Sequence, residues 1–540
     1  MSNYVLTVVD TTQIQQYIFG SNRLIENIGG SELVELATRR WVYESLPVAH
    51  NVIDVTTGLL DNQRTIGNID AEVLYAGGGN TVILFKTFDV ARTFASRLTR
   101  RVLREAPGLE LIVAHRQFDW QTESLAGVVS ETLGVELARK KHQRVPSLPL
   151  LGLGVTQPCS STGLVAAGVF DNKPVSLEIK AKTEDTIQKQ SRERLQAKLP
   201  RIQQGYWQIP HDFADLGRIK GEESYIAVVH ADGNGIGRRV EAIAKRYSLP
   251  NQNRDYINAI RQFSQGLEHA ATEALRSVVD LMADAFLADA ELANHHRLKF
   301  PLRPIVFGGD DVTFVCHGRY GLSLAVRYLA AFEEATKNEP AFNGQPAYAC
   351  AGVVIVHTHY PFARAYRLSE QLCRSAKQML KDLQVDDGSA IDWHIAMSGI
   401  TGSLGEIRAR EYQTKQGLLH LRPLLLQQSH VTWRSWPVFK EILGAFLKEN
   451  SEWYERRNKV KALREVLRQG PNAVRDFLYA YQIKALPTSD AINVSGYETS
   501  GWAGDRCVYF DAIELMDLYQ DLEQLVSASV VGGVSRQWNP

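Results

Sequence analysis

The chain has 540 residues, 44% of them hydrophobic, with Lys+Arg and Asp+Glu equal at 60 each. That length predicts three or four domains with genuine cores, and the balanced charge excludes a bulk field for nucleic acid. No run approaches the ~18 apolar residues of a membrane helix, no signal-peptide pattern opens the chain, and five scattered cysteines without CxxC spacing suit a reducing cytoplasm.

Taken in chain order, YVLTVVD at 4–10 reads as an apolar strand ending at Asp10. A polar turn and a helix-like stretch over 31–45 follow. Residues 72–85, EVLYAGGGNTVILF, are two apolar runs around Gly77, Gly78, Gly79 and Asn80, the outline of a hairpin. An amphipathic stretch at 88–104 and a strand-like run at 109–118 complete the first unit. Residues 151–221 read as a mostly helical linker broken at Pro158 and Pro174.

The same order then returns. SYIAVVHADGNGIGRRV at 224–240 is an apolar strand ending at Asp232, followed by a turn through Gly233, Asn234, Gly235 and Gly237 whose backbone N–H groups suit phosphate. A long helix is expected over 254–289. PIVFGGDDVTFVC at 304–316 is a second hairpin, with Gly308 and Gly309 free to adopt positive φ and Asp310 and Asp311 at its tip. A helix at 319–336 and a strand at 347–357 follow. Adjacent carboxylates repel unless a cation neutralises them. With Asp232 beside the hairpin, three carboxylates from two neighbouring strands form an oxygen donor set for two Mg²⁺ or Mn²⁺ ions. GGDD taken alone is equally compatible with an ordinary turn.

The order β–α–β–hairpin–β–α–β is that of a ferredoxin-like palm. Two copies at so long a period predict an α+β pseudo-dimer of nucleotide-cyclase or GGDEF type. The expected domains are a degenerate first palm (1–150), the linker (151–221), a catalytic second palm (222–420) and a C-terminal helical domain (421–540). In the last, Trp433, Trp436, Trp453 and Phe477 are expected in the core. The basic stretches at 138–144, 187–201 and 455–468 read as solvated helix faces in preference to RNA contacts.

The GGGN and GGDD pair, with DTTQIQQYIFGSNRLIENIGGSELV at 10–34, ADGNGIG at 231–237 and AGVVIVHTHYPFARAYRLSEQLCRSAKQ at 351–378, resembles the large polymerase/cyclase subunit of type III CRISPR effector complexes over roughly residues 1–400. The resemblance implies two ATP molecules between the palms and attack of a 3′-hydroxyl on an α-phosphate at Asp310 and Asp311. The product would be a cyclic oligoadenylate that activates downstream effectors in antiviral defence. It places Ser31 against nucleotide and Lys377 near the triphosphate. From the residues alone, Ser31 equally suits a helix N-cap and Lys377 a solvated helix lysine.

The chain departs from the family in two respects. It starts on the first palm strand, giving the expectation of a reduced form without the HD nuclease; its His211-Asp212 pair reads as a surface loop. Between the palms only Cys159 stands in QPCSSTG, so no zinc is expected. The alternatives are a non-enzymatic CRISPR scaffold that binds guide RNA and small subunits, and a simpler GGDEF-like or adenylyl-cyclase-like enzyme.

Overall fold

A computed structural model describes residues 3–144, 152–204, 207–217, 224–288, 299–396, 402–447, 453 and 456–531. Strand β1 (Asn3–Thr12) lies at the centre of the first sheet, between β3 (Asn80–Phe85) and β4 (Glu110–Asp119), with β2 (Ala71–Gly77) on the edge. The order is β2-β3-β1-β4, antiparallel throughout. Alternating side chains on these strands serve two separate cores, which is why both faces need a cover. Helix α1 (Leu24–Glu35) and helix α2 (Phe88–Glu105) cover one face. The helix expected at 31–45 starts earlier, at Leu24, and passes through a wide π-helical turn over Leu36–Arg40 before ending at Ser45.

The segment between the palms contains a small hairpin (Gly168–Phe170 with Lys173–Val175) and several helices, the longest being α3 (Asp185–Lys198). The second sheet repeats the first and extends it. Strand β5 (Tyr225–Gly233) is central, β6 (Leu302–Val306) and β7 (Asp311–His317) form the hairpin, and β8 (Ala349–His357) flanks on the other side. Beyond β8 come β9 (Ala390–Ala396), parallel to it, and the short β10 (Leu424–Leu425). The order β6-β7-β5-β8 matches β2-β3-β1-β4 strand for strand.

Helices complete the second unit. Between β5 and β6 run α4 (Ile236–Arg246) and the 36-residue α5 (Asn253–Ala288). After the hairpin come α6 (Gly321–Asn338) and, between β8 and β9, α7 (Phe362–Asp382).

Two features join the palms into one body. One face of the second sheet, through Ile226, Val228, Ile305 and Val354, shares a core with Ile28 and Leu33 of α1. Helix α5 serves both units. Its first turns put Tyr256, Ile257 and Ile260 into the core of the first sheet with Leu6, Val8 and Val82, and its later turns pack Ala274, Val278 and Met282 against the second unit. Arg261, 2% exposed, donates to the carbonyl of Val73 at 2.8 Å and reaches Glu72 at 3.3 Å. The outer core of the second palm continues into the C-terminal region, where Trp436, Trp453 and Phe477 are buried.

Helix α7 crosses the sheet at its closest on Gly352, where a Cβ would stand 2.0 Å from the carbonyl oxygen of Ser369 and 2.5 Å from the amide nitrogen of Cys373. Any side chain there lifts the helix. Gly352→Ala is expected to cost about 2 kcal/mol, measured by urea denaturation.

Candidate active site

The two hairpins meet tip to tip. In the first, Gly78 and Gly79 both have positive φ (60° and 82°), the signature of a two-residue type I′ turn that continues the strands' twist. In the second, Gly308 has φ 120° and Gly309 does not share the positive value. A methyl group on Gly309 would lie 3.9 Å from the Cα of Gly78, in van der Waals contact with it, which fixes how closely the two tips approach. Gly77 lies near Ser264 of α5, and Asn80 opposes Asp10 in the β1–β3 register.

The register of the second sheet sets Asp311 opposite Asp232, the pairing that Asn80 and Asp10 make in the first. The amide of Gly233 donates to the carbonyl of Asp310 at 3.2 Å, which draws the hairpin tip against the end of β5. A Cβ on Gly233 would stand 3.0 Å from that of Asp310 and 2.8 Å from Cγ1 of Ile236, so a side chain there would displace one or both. Asn234 is tied down, its backbone N–H to the carbonyl of Tyr348 at 2.7 Å and its amide to that of Gly388 at 3.1 Å. Gly235 and Gly237 then bracket the first residue of α4.

Lys377 of α7 donates to Oδ2 of Asp232 at 2.6 Å and to the carbonyl of Gly233 at 2.8 Å. It is not a solvated helix lysine. Burial alone would lower its pKa, but Asp232 outweighs burial and raises it. Across the pseudo-dimer, Lys141 pairs with Asp10 in the corresponding way. Burial pushes the Asp310 carboxyl up to about 6, with the charges of Asp232 and Asp311 adding to the shift.

A carboxyl whose folded pKa lies above its unfolded value of about 3.9 costs nothing at low pH and its full penalty above the folded value. Asp310→Asn is therefore expected to raise stability by about 1 kcal/mol at pH 7.5 in EDTA. The gain should fade as pH drops through 6 and vanish near 4, as read by thermal melts across that range.

The donor chemistry suits a hard divalent cation: carboxylate oxygens, no soft ligand, and a buried Oδ1 of Asp311 with no hydrogen-bond partner in the protein. As placed, no three acid, imidazole or thiol groups among the described residues form a metal-holding cluster. Asp232 instead spends Oδ2 on Lys377, whose ammonium supplies the positive charge.

The sequence reading missed several residues here. His230, 5% exposed, puts Nδ1 3.2 Å from Oδ1 of Asp311 and 3.3 Å from the hydroxyl of Thr313. Burial would lower its pKa, and the Asp311 carboxylate reverses this. Its signal was position: two residues before Asp232 on one strand, it shares that face. Lys198, the last residue of α3, has its ammonium 3.3 Å from where a Gly308 side chain would begin and 2.7 Å from Glu268 of α5. Glu268 also takes two hydrogen bonds from Arg39, at 2.8 and 2.6 Å. Arg194 of α3 binds Glu32 at 2.8 Å and stacks over Phe307. The basic stretch 187–201 thus faces the palms through Arg194 and Lys198 instead of lying wholly in solvent.

Ser31 is the eighth residue of α1, not an N-cap, and its hydroxyl donates to the carbonyl of Ile305 on β6 at 2.6 Å. The contact crosses from one palm to the other. His211 and Asp212 lie in a loop: Asp212 accepts from the amide of Ala214 at 2.9 Å, and burial pushes His211 down to about 4.

Residues 225–383 match the family model described as Cas10/Cmr2, second palm domain. The whole fold is similar to that of solved Csm1 structures. A Csm1–Csm4 cassette in complex with cA4 shares 14% identity at a TM-score of 0.52, over 98% of this chain and 70% of that one. The cassette in complex with pppApA gives 14% and 0.51, over 98% and 69%. Csm1 in T. onnurineus gives 13% and 0.52, over 98% and 70%. No curated protein sequence matches the chain. The resemblance to the large palm-domain subunit of type III CRISPR systems and the α+β class therefore stand. No described helix is long and apolar enough to cross a membrane.

Proposed function

We propose that the chain is a nucleotidyltransferase that joins ATP into a cyclic oligoadenylate, acting in a type III CRISPR-like defence. The observation that carries this reading is the apposition of an acidic hairpin and one whose tip is Gly77–Asn80 without a carboxylate, with Asp232 and Asp311 in register at one edge of the seam. Similar folds have been crystallised with cA4, cA3, pppApA and AMPPNP. The Cas10/Cmr2 match falls on the palm that bears the carboxylates.

In this reading the 3′-oxygen of one nucleotide bonds to the α-phosphorus of the next. The bond from that phosphorus to the β-phosphate bridging oxygen breaks, pyrophosphate leaves, and the hydroxyl proton passes to solvent. Asp232, Asp310 and Asp311 would hold the divalent ions. Such ions, when bound, lower the pKa of the attacking hydroxyl and offset charge on the leaving pyrophosphate. Lys377 is placed to exchange its carboxylate partner for an incoming triphosphate. Gly77 to Asn80 and the turn from Gly233 to Gly237 present backbone to the nucleotides, and Ser31 keeps the seam closed.

The test is incubation of the protein with labelled ATP and Mg²⁺ or Mn²⁺, with and without RNA, followed by mass spectrometry. A phosphodiester product that Asp310→Ala/Asp311→Ala abolishes supports the reading; unchanged ATP under every condition overturns it. The scaffold alternative draws on one observation, the closed Lys377–Asp232 pair. It expects guide RNA and small subunits to bind equally well after the same substitutions.

A further inference from the structure

Helix α2 buries Ala91, Phe94, Leu98 and Val102 and turns five arginines outward or sideways. Arg92, Arg97, Arg100 and Arg104 are exposed. The first three have no ion pair or hydrogen bond among the described residues, in a protein whose other arginines are widely paired. Arg101 is different: it stacks over Trp41 at 5.0 Å and pairs with Glu44 and Glu105. Between α2 and the helix ending at Ser45 lies an open groove of about 770 Å³, lined by the five arginines with Ser96 and with Glu44 and Glu105, which Arg101 neutralises.

Intrinsic helix energetics do not explain the arrangement. Like charges three and four residues apart, as at Arg97, Arg100 and Arg104, repel. The helix dipole favours a cation only in the last turn, which accounts for Arg104 and not for Arg92 or Arg97. We propose that this groove on the first palm is a docking track for the phosphodiester backbone of a single-stranded nucleic acid.

From Arg92 to Arg104 the helix rises about 18 Å, long enough for several successive backbone phosphates of an extended strand to lie along it. Guanidinium and hydroxyl groups are the usual phosphate contacts. The guanidinium groups of the groove meet phosphate and not base edges, so binding is independent of sequence. An acidic protein partner is disfavoured because the groove's own lining has no large apolar side chain for the core of a protein interface, Leu103 being the lone exposed leucine of the helix.

The experiment is fluorescence anisotropy of the full chain with labelled U20 RNA, dT20 DNA and a poly-Glu peptide across a salt series. One variant is Arg92→Gln/Arg97→Gln/Arg100→Gln; the corresponding Lys triple variant preserves charge. The Gln variant is expected to bind strands at least tenfold more weakly, with the log–log salt slope shallower by about two, while the Lys variant retains most of the affinity. The RNA and DNA arms identify which strand is preferred. Unchanged binding by the Gln variant, no strand binding by the parent chain, or tighter binding of poly-Glu than of either strand would overturn the proposal. Thermal melts of both variants separate lost binding from lost fold.

Discussion

Asp311→Asn is expected to reduce phosphodiester formation from ATP by at least about a thousandfold while leaving the fold intact. Asp311 stands opposite Asp232 in the sheet, and its Oδ1 is buried beside His230. The amide keeps the shape but removes the charge that a divalent ion requires. It also removes the carboxylate charge that faces Nδ1 of His230 at 3.2 Å. Turnover assayed over a range of Mn²⁺ concentrations separates two roles. A loss that high metal partly rescues assigns Asp311 to ion binding, and activity close to that of the parent chain would remove it from the site.

The second large effect lies far from the seam. Asp511→Ala is expected to destabilise the protein by about 3–5 kcal/mol, measured by chemical denaturation. Asp511 and Arg422 are both fully buried. Arg422 donates from Nη1 to Oδ1 at 2.8 Å, and the other carboxylate oxygen accepts from the amides of Leu421 and Arg422 at 2.7 and 3.2 Å. Burial pushes the Asp511 carboxyl up, against the pull of Arg422. Deleting the carboxylate leaves a buried guanidinium, whose Nε and Nη2 already lack partners, with only Glu514 at 3.5 Å. Removing both charges, as Arg422→Met/Asp511→Leu, should cost less than Asp511→Ala alone, because no guanidinium is left buried, though Glu514 then loses the partner it has at 3.5 Å.

Much of the palm architecture was legible because it is local. Alternating β-branched runs, paired glycines and strand-end aspartates identify hairpins without knowledge of what packs on them, and both hairpins and α5 fall within a few residues of expectation. Long-range partners were not legible. Nothing in a sequence window shows that Lys377 would reach 145 residues back to Asp232, or that Ser31 would reach 274 forward to Ile305. The stretch 187–201 misled because its charges are spaced like those of a solvated helix, whereas Arg194 and Lys198 find carboxylates on other elements. The Arg422–Asp511 pair was equally invisible, since a buried ion pair looks in sequence like two surface residues.

Helix α5 gives the chain a property that its two-palm appearance conceals. At 36 residues it is about 54 Å long, and its first turns complete a core whose strands lie some two hundred residues earlier. A gene divided in the linker would therefore not yield two soluble halves. The N-terminal fragment would expose the sheet face that Tyr256, Ile257 and Ile260 cover, and the C-terminal fragment would carry that apolar helix end uncovered. Co-expressed, the fragments have a ready-made mutual template, so the linker becomes a natural place for a split reporter whose reassembly also rebuilds the seam between the hairpins.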